Sequence, residues 1–134
     1  MFSIKISPRF GDIDALGHVN NTVLPIWFET GRTPVIQIFD TELALDRKTF
    51  PLIMAHTDLD FLSQIYFKYE VEIRTSISKI GTKSFTVHQE AWQQGNLCAK
   101  GNCVIVYFDF NANQTAPLPE DKKKLLSEHI SVNS

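Results

Sequence analysis

The chain carries only two cysteines, Cys98 and Cys103, in 134 residues, with neither a Cys-x-x-Cys pair nor a His/Cys pair at metal-ligand spacing. That scarcity excludes a disulfide scaffold and a zinc module. If both lie on one regular strand, their odd spacing points them to opposite faces, so they read as small buried residues of a reducing compartment. No apolar run approaches the length of a membrane span, and the N-terminus holds no long apolar signal core, so a soluble, cytoplasmic protein that does not enter a membrane is expected. Charge of one sign is lacking too: 13 Lys and Arg stand against 15 Asp and Glu, for a net charge of −2. This balance removes any global electrostatic reason to bind nucleic acid. The one basic run, Lys122-Lys123-Lys124, is flanked by Glu120, Asp121 and Glu128 and reads as a solvated helix face. A phosphate-cradling glycine-rich loop and a Gly-x-Ser-x-Gly elbow are both missing.

What is present is hydrophobic residue, 43% of the chain, enough for a packed core without metals or disulfides. Residues 1–134 are expected to form one domain. Residues 2–9 alternate apolar and polar up to Pro8, which predicts a first strand. Residues 21–39 predict the main helix, with Val23, Ile26, Trp27, Pro34 and Ile38 on one face. Pro25 falls in its first turn, whereas Pro34 is expected to kink it or start a new segment. After a polar connection over 40–50 the period becomes two. Ile53, Ala55, Thr57, Leu59 and Phe61 are assigned to one face of a second strand, and Met54, His56, Asp58 and Asp60 to the other. A third strand is expected to turn Phe67, Tyr69, Val71, Ile73 and Ile77 inward. A fourth follows over 83–93, a turn at Gly95-Asn96, a fifth over 97–110, and a short charged helix over 120–129. A strand, a long helix and four consecutive strands imply an α+β fold with an antiparallel sheet wrapped on one helix. The long, apolar last strand is expected at an edge, favouring subunits that continue one another's sheet.

The candidate chemistry lies in residues 10–32. Asp14 precedes Gly17, the polar run His18-Val19-Asn20-Asn21 and an apolar helix. An acid near a helix N-terminus, with its free N–H groups and partial positive charge, is the minimum equipment for acyl transfer. From the residues alone, Asp14 reads as a turn or pre-helix acid bonded to nearby N–H groups. Asp12 reads as a loop carboxylate paired with Arg9 or solvent. His18 is open between fixing the loop and contacting a substrate. Asn20 or Asn21 suits a helix cap. Glu29 and Arg32 read as a surface pair one turn apart. His56, Asp58 and Asp60 would stand in a row rather than around a point, so no metal is expected.

This stretch resembles the signature of hotdog-fold acyl-CoA thioesterases of the 4-hydroxybenzoyl-CoA thioesterase-like branch. The matching residues are Asp12-Ile13-Asp14, Gly17, His18-Val19-Asn20-Asn21 and Trp27-Phe28-Glu29. The resemblance implies a curved antiparallel sheet wrapped around one long central helix, in a homodimer or homotetramer with sites at the subunit interface. It implies acyl-CoA as substrate, hydrolysed to free acid and coenzyme A with no cofactor. It makes Asp14 the general base or nucleophile and the Asn21 N–H the oxyanion donor, with His18 and Asn20 on the substrate side. Lys83 and Ser84 fall where the family contacts coenzyme A phosphates, although Gly81 and Thr82 stand where one family pattern has two arginines. Leu24 replaces a frequent aromatic, which implies a different pocket shape. In a related branch the catalytic carboxylate sits on the central helix, which makes Glu29 the fallback acid. The same fold also serves acyl-CoA or acyl-carrier-protein binding modules and hydratases or dehydratases; the latter need a histidine within hydrogen-bond reach of the acid.

Overall fold

In the computed structural model, which describes residues 1–46 and 50–130, the strands form one six-stranded antiparallel sheet. Residues 47–49 of the polar connection lie outside the described residues. The elements are β1 (Phe2–Ile6), a 3-10 turn (Phe10–Asp12), α1 (Leu24–Gly31), α2 (Thr33–Phe39), β2 (Leu52–Phe61), β3 (Val71–Ile80), β4 (Ser84–Gln93), β5 (Asn96–Asp109), the short β6 (Gln114–Thr115) and α3 (Glu120–Ser127). The sheet order is β1-β3-β4-β5-β2, and β6 pairs with the end of β5. The sheet curls into a half-barrel with α1 packed on β3 and β1, the α+β hotdog arrangement. None of the described helices is long and apolar enough to cross a membrane.

β5 is not an edge: β2 returns across the fold to pair with it, which leaves β1 and β2 outermost. The expectation of an edge at the last strand fails because chain order is not spatial order in a sheet with a crossover. β3 begins at Val71, so Phe67 and Tyr69 lie outside it and are exposed rather than inward.

A single extra residue at Ala55 explains the failed two-face assignment of β2. Met54 pairs with Ile105 and His56 with Val104, so Ala55 is a bulge. Beyond it the faces exchange, and Met54 joins Thr57, Leu59 and Phe61 on the side of buried Cys103 and Ile105. A second bulge falls at Cys98, between the pairs Ala91–Ala99 and Trp92–Leu97. Cys98 and Cys103 are therefore both buried, not on opposite faces; they sit in separate core clusters as free thiols.

The helix begins at Leu24, not Asn21, and breaks at Arg32. Pro25 lies in its first turn. Pro34 cannot donate to the Thr30 carbonyl, and the chain restarts as α2 with Val35 and Ile36 both donating to the Arg32 carbonyl. The buried face is formed by Leu24, Trp27, Phe28, Gly31 and Val35, and Ile26, which falls off that spacing, is 61% exposed. The sheet takes up helix carbonyls beside the break. Thr75 Oγ1 donates to Gly31 O (3.1 Å), and Gln89 Nε2 donates to Phe28 O (2.8 Å) and to Thr75 Oγ1 (3.0 Å). Arg32 joins this group by donating to Gln89 Oε1 (2.9 Å), so the hydrogen bond of its guanidinium goes to Gln89 and not to the expected partner Glu29.

Gly31 is what allows this approach. A Cβ there would meet Ile73 Cγ2 at 2.7 Å, Gln89 Nε2 at 3.1 Å and Thr75 Oγ1 at 3.2 Å. In an exposed helix Gly→Ala would stabilise by about 1 kcal/mol. Here Gly31→Ala is expected to destabilise by about 1–3 kcal/mol through overpacking; urea denaturation measures the sign.

Candidate active site

The loop bearing Asp14 is a small closed unit. Its base is Asp12, 3% exposed, whose carboxylate accepts from Arg9 N (2.8 Å), Arg9 Nε (3.3 Å) and Arg9 Nη2 (3.1 Å). These Arg9 hydrogen bonds, the side-chain ones first, hold the Asp12 carboxyl below its ordinary pKa against the opposing effect of burial. Asp12 O then receives the Asn20 N–H (2.8 Å), and Ile13 pairs with Val19. Between them the chain reverses at Asp14–Gly17, where Gly17 takes φ +79°, a conformation other residues adopt only with strain.

At the tip Asp14 is exposed. Its Oδ1 accepts from Leu16 N (2.9 Å) and His18 N (3.2 Å), so the turn role exists. Its Oδ2 has no hydrogen-bond partner among the described residues, which leaves one oxygen for chemistry. The turn role and the site role therefore coexist on one carboxylate.

Asp14, Asn20 and Asn21 share a cavity of about 530 Å³ with Leu24, Phe61, the 62–65 loop and Cys98. Asn20 Oδ1 accepts from Thr22 N (3.0 Å) and Thr22 Oγ1 (2.9 Å), and Asn20 O accepts from Val23 N. This tight turn, rather than a side-chain cap on the helix, delivers the chain to α1. The Asn21 N–H has no acceptor among the described residues. It lies just ahead of the positive end of α1.

The opposite wall of the cavity depends on the bulge at Cys98. Cys98 O accepts from both Leu62 N (2.8 Å) and Ser63 N (3.1 Å), which ends β2 and turns the chain across the cavity. That segment is tied to the Asp14 loop by Val19 N to Ile65 O (2.7 Å) and by the pairing of His18 with Tyr66. A second cavity of about 700 Å³ adjoins the first, sharing Ser63, Gln64 and Cys98 and reaching Tyr66, Tyr69 and Gln94; its lining carries no charged side chain.

Other candidates sit elsewhere. The His18 ring packs edge-on against Tyr66 at 5.2 Å, and no described histidine ring is hydrogen-bonded to Asp14. His56 instead pairs with Asp58 (3.2 Å) on β2. The acid–histidine geometry of a hydratase is thus not assembled within the protomer. Glu29 faces a separate cavity of about 300 Å³ with Pro25, Phe28, Met54 and Leu59. Lys83 and Ser84 lie at the far end of the sheet, where Tyr107 N donates to Lys83 O. Eight strand positions separate Lys83 from Ala91, which pairs beside Cys98, a distance of about 26 Å at about 3.3 Å per residue. One protomer does not bring them to Asp14. No group of three or more His, Cys, Asp or Glu suited to a metal occurs among the described residues.

The residues that sequence reasoning missed are Cys98 and the 62–65 wall. Their signal was faint: a polar Gln93 on the inward face of β4, in step with Phe85, Val87 and Ala91.

The model of the Thioesterase-like superfamily matches residues 8–126. The uncharacterized protein YsmA of Bacillus subtilis is 26% identical over 93% of this chain and 84% of its own length. Among solved structures, a predicted thioesterase from Bacillus stearothermophilus superposes with a TM-score of 0.90 at 35% identity, covering 97% of this chain and 96% of that one. A thioesterase from Thermus thermophilus, solved with coenzyme A and Zn, superposes with a TM-score of 0.81 at 26% identity, covering 95% and 92%.

The Asp12 cluster yields a pH prediction. A carboxyl whose folded pKa is depressed contributes stability above the ordinary carboxyl value of about 3.9 and loses it as pH falls through the folded value. Asp12→Asn should therefore melt below wild type at pH 7, with the gap closing in acid; thermal midpoints across pH 2–7 test this, and a constant gap would remove the charge from the account.

Proposed function

Since this chain belongs to the Thioesterase-like superfamily, we propose that it hydrolyses an acyl-CoA thioester to the free acid and coenzyme A at the Asp14 cavity. The observation that carries the reading is the meeting, in one cavity, of a carboxylate with a free oxygen and an N–H without an acceptor at the entrance to a helix. The thioester carbonyl would accept from the Asn21 N–H, with the positive end of α1 behind it to stabilise the tetrahedral oxyanion. Asp14 Oδ2 would take a proton from an attacking water, or attack the carbonyl itself to give a mixed anhydride that water then cleaves. In either route the carbon–sulfur bond breaks and coenzyme A leaves as the thiol. Asn20 supports the turn that presents Asn21, and His18 anchors the loop against Tyr66.

We further read the molecule as one domain working in a homodimer, which can pair again into a tetramer. β2 is an exposed edge ten residues long with Ile53, Met54 and Phe61 between 39% and 53% exposed. Antiparallel pairing of two such edges about a twofold axis sets the Phe61 end of one protomer beside the Leu52 end of the other. Leu52 pairs with Tyr107, which bonds to Lys83. The turn carrying Lys83 and Ser84 in one protomer would then approach the Asp14 cavity of the other, where Lys83 supplies a cation for coenzyme A phosphates.

Thiol release from short, medium, long and aromatic acyl-CoAs tests the reaction. Asp14→Asn is expected to lower kcat by about 10²–10⁴ with the melting point little changed, the range for a lost general acid–base group. Near-normal turnover in the variant would remove Asp14 from the mechanism, and a wild type that binds but never releases thiol would make the protein a binding module. Lys83→Ala is expected to raise KM for acyl-CoA with kcat retained, and to weaken the salt dependence of KM.

A further inference from the structure

Resting on that reading, we propose that Gln93 is a positioning residue for the reaction: it holds the wall of the cavity and, through that wall, the Asp14 turn. Gln93 is the last residue of β4 and 4% exposed; it lines the second cavity and is absent from the lining of the Asp14 cavity. Its Oε1 accepts from Tyr66 N (2.9 Å), and its Nε2 donates to Tyr66 O (2.8 Å) and Tyr69 O (2.9 Å). A carboxamide has two N–H donors and one carbonyl acceptor, and all three functions are engaged by the main chain of one loop. That loop joins β2 to β3 outside the sheet ladders.

The consequences run from Gln93 to the carboxylate in three short steps. Tyr66 pairs with His18, and Ile65 O takes the Val19 N–H. His18 N in turn donates to Asp14 Oδ1, while His18 O accepts from Asp14 N. Asp14 itself belongs to no helix or strand, so the aim of its free oxygen is set by this stack of loops. A displacement of about 1 Å at a reacting group costs about a hundredfold in rate. A glutamine that only filled a polar gap in the core would affect stability without acting through Asp14.

The test uses the full chain with Gln93→Glu, Gln93→Met, Asp14→Asn and the double variants. A glutamate keeps the acceptor for Tyr66 N–H but, when ionised, donates to neither carbonyl; a methionine offers neither. We expect kcat for the best acyl-CoA to fall about ten- to hundredfold in both Gln93 variants, with a smaller change in KM. The glutamate variant should recover part of its deficit in acid, where a protonated carboxyl donates once. Added to Asp14→Asn, either change should bring no further loss, since the two act as one unit. Amide hydrogen exchange should quicken over residues 62–70 and 14–20 and stay slow in β3 and β4. Losses that multiply in the double variants, or exchange over 14–20 left unchanged, would overturn the proposal. Should the methionine variant fail to fold, the glutamate variant decides alone. Should wild type release no thiol from any substrate, the hydrolase reading falls, and exchange over 14–20 still decides whether Gln93 holds that turn.

Discussion

Everything in this fold is arranged around the contact of Gly31 with β3. The central helix is interrupted by Pro34, and an interrupted helix leaves carbonyls without intrahelical donors. Buried and unpaired, such groups would cost more than the packing around them returns. Thr75 answers this at Gly31 O, and Gln89 adds a second donor to Phe28 O, which also accepts from Arg32 N–H; both side chains reach the helix because residue 31 has no side chain. The close approach sets how deeply α1 sits in the curl of the sheet. It thereby sets where the helix N-terminus emerges.

From that end of α1 the site is built by irregularities rather than by regular structure. A left-handed glycine at position 17 reverses the Asp14 turn. A bulge at Cys98 frees a carbonyl to catch two N–H groups of the next loop. Both devices put irregular backbone where the chemistry is proposed and satisfy its polar groups locally. The ionised Asp12 beneath them belongs to the same solution, since a buried carboxylate is tolerated where cation and N–H partners surround it. Two buried glutamines, Gln89 and Gln93, do parallel work four residues apart on one strand face: one secures the helix, the other the loop.

The exposed β2 edge and the distance of Lys83 from Asp14 share one origin. A sheet whose strand path ends in β1 and β2 presents apolar side chains on β2 that a single copy leaves in solvent. The same topology separates the two ends of the sheet by the length of a strand. In the dimer proposed above, a twofold operation about that edge would bring these features together.

Much of this was legible in the residues themselves. Pro8 and the alternation before it marked β1, Pro25 and Pro34 marked the helix and its break, and the turn at Gly95 separated β4 from β5; these are local steric and hydrogen-bonding constraints that act wherever the chain goes. The motif from Asp12 to Glu29 was enough to indicate the family. The faces of β2, the side of β5 on which Cys98 lies, the partner of Arg32 and the edge position of β2 were not legible. One bulged residue inverts a strand's faces, a guanidinium chooses whichever acceptor the packed sheet offers, and pairing order depends on a crossover. Local conformation is thus written in short-range sterics that the sequence determines by itself. The company each side chain keeps is decided only when distant segments close on one another, because burial and hydrogen bonding are properties of the packed whole.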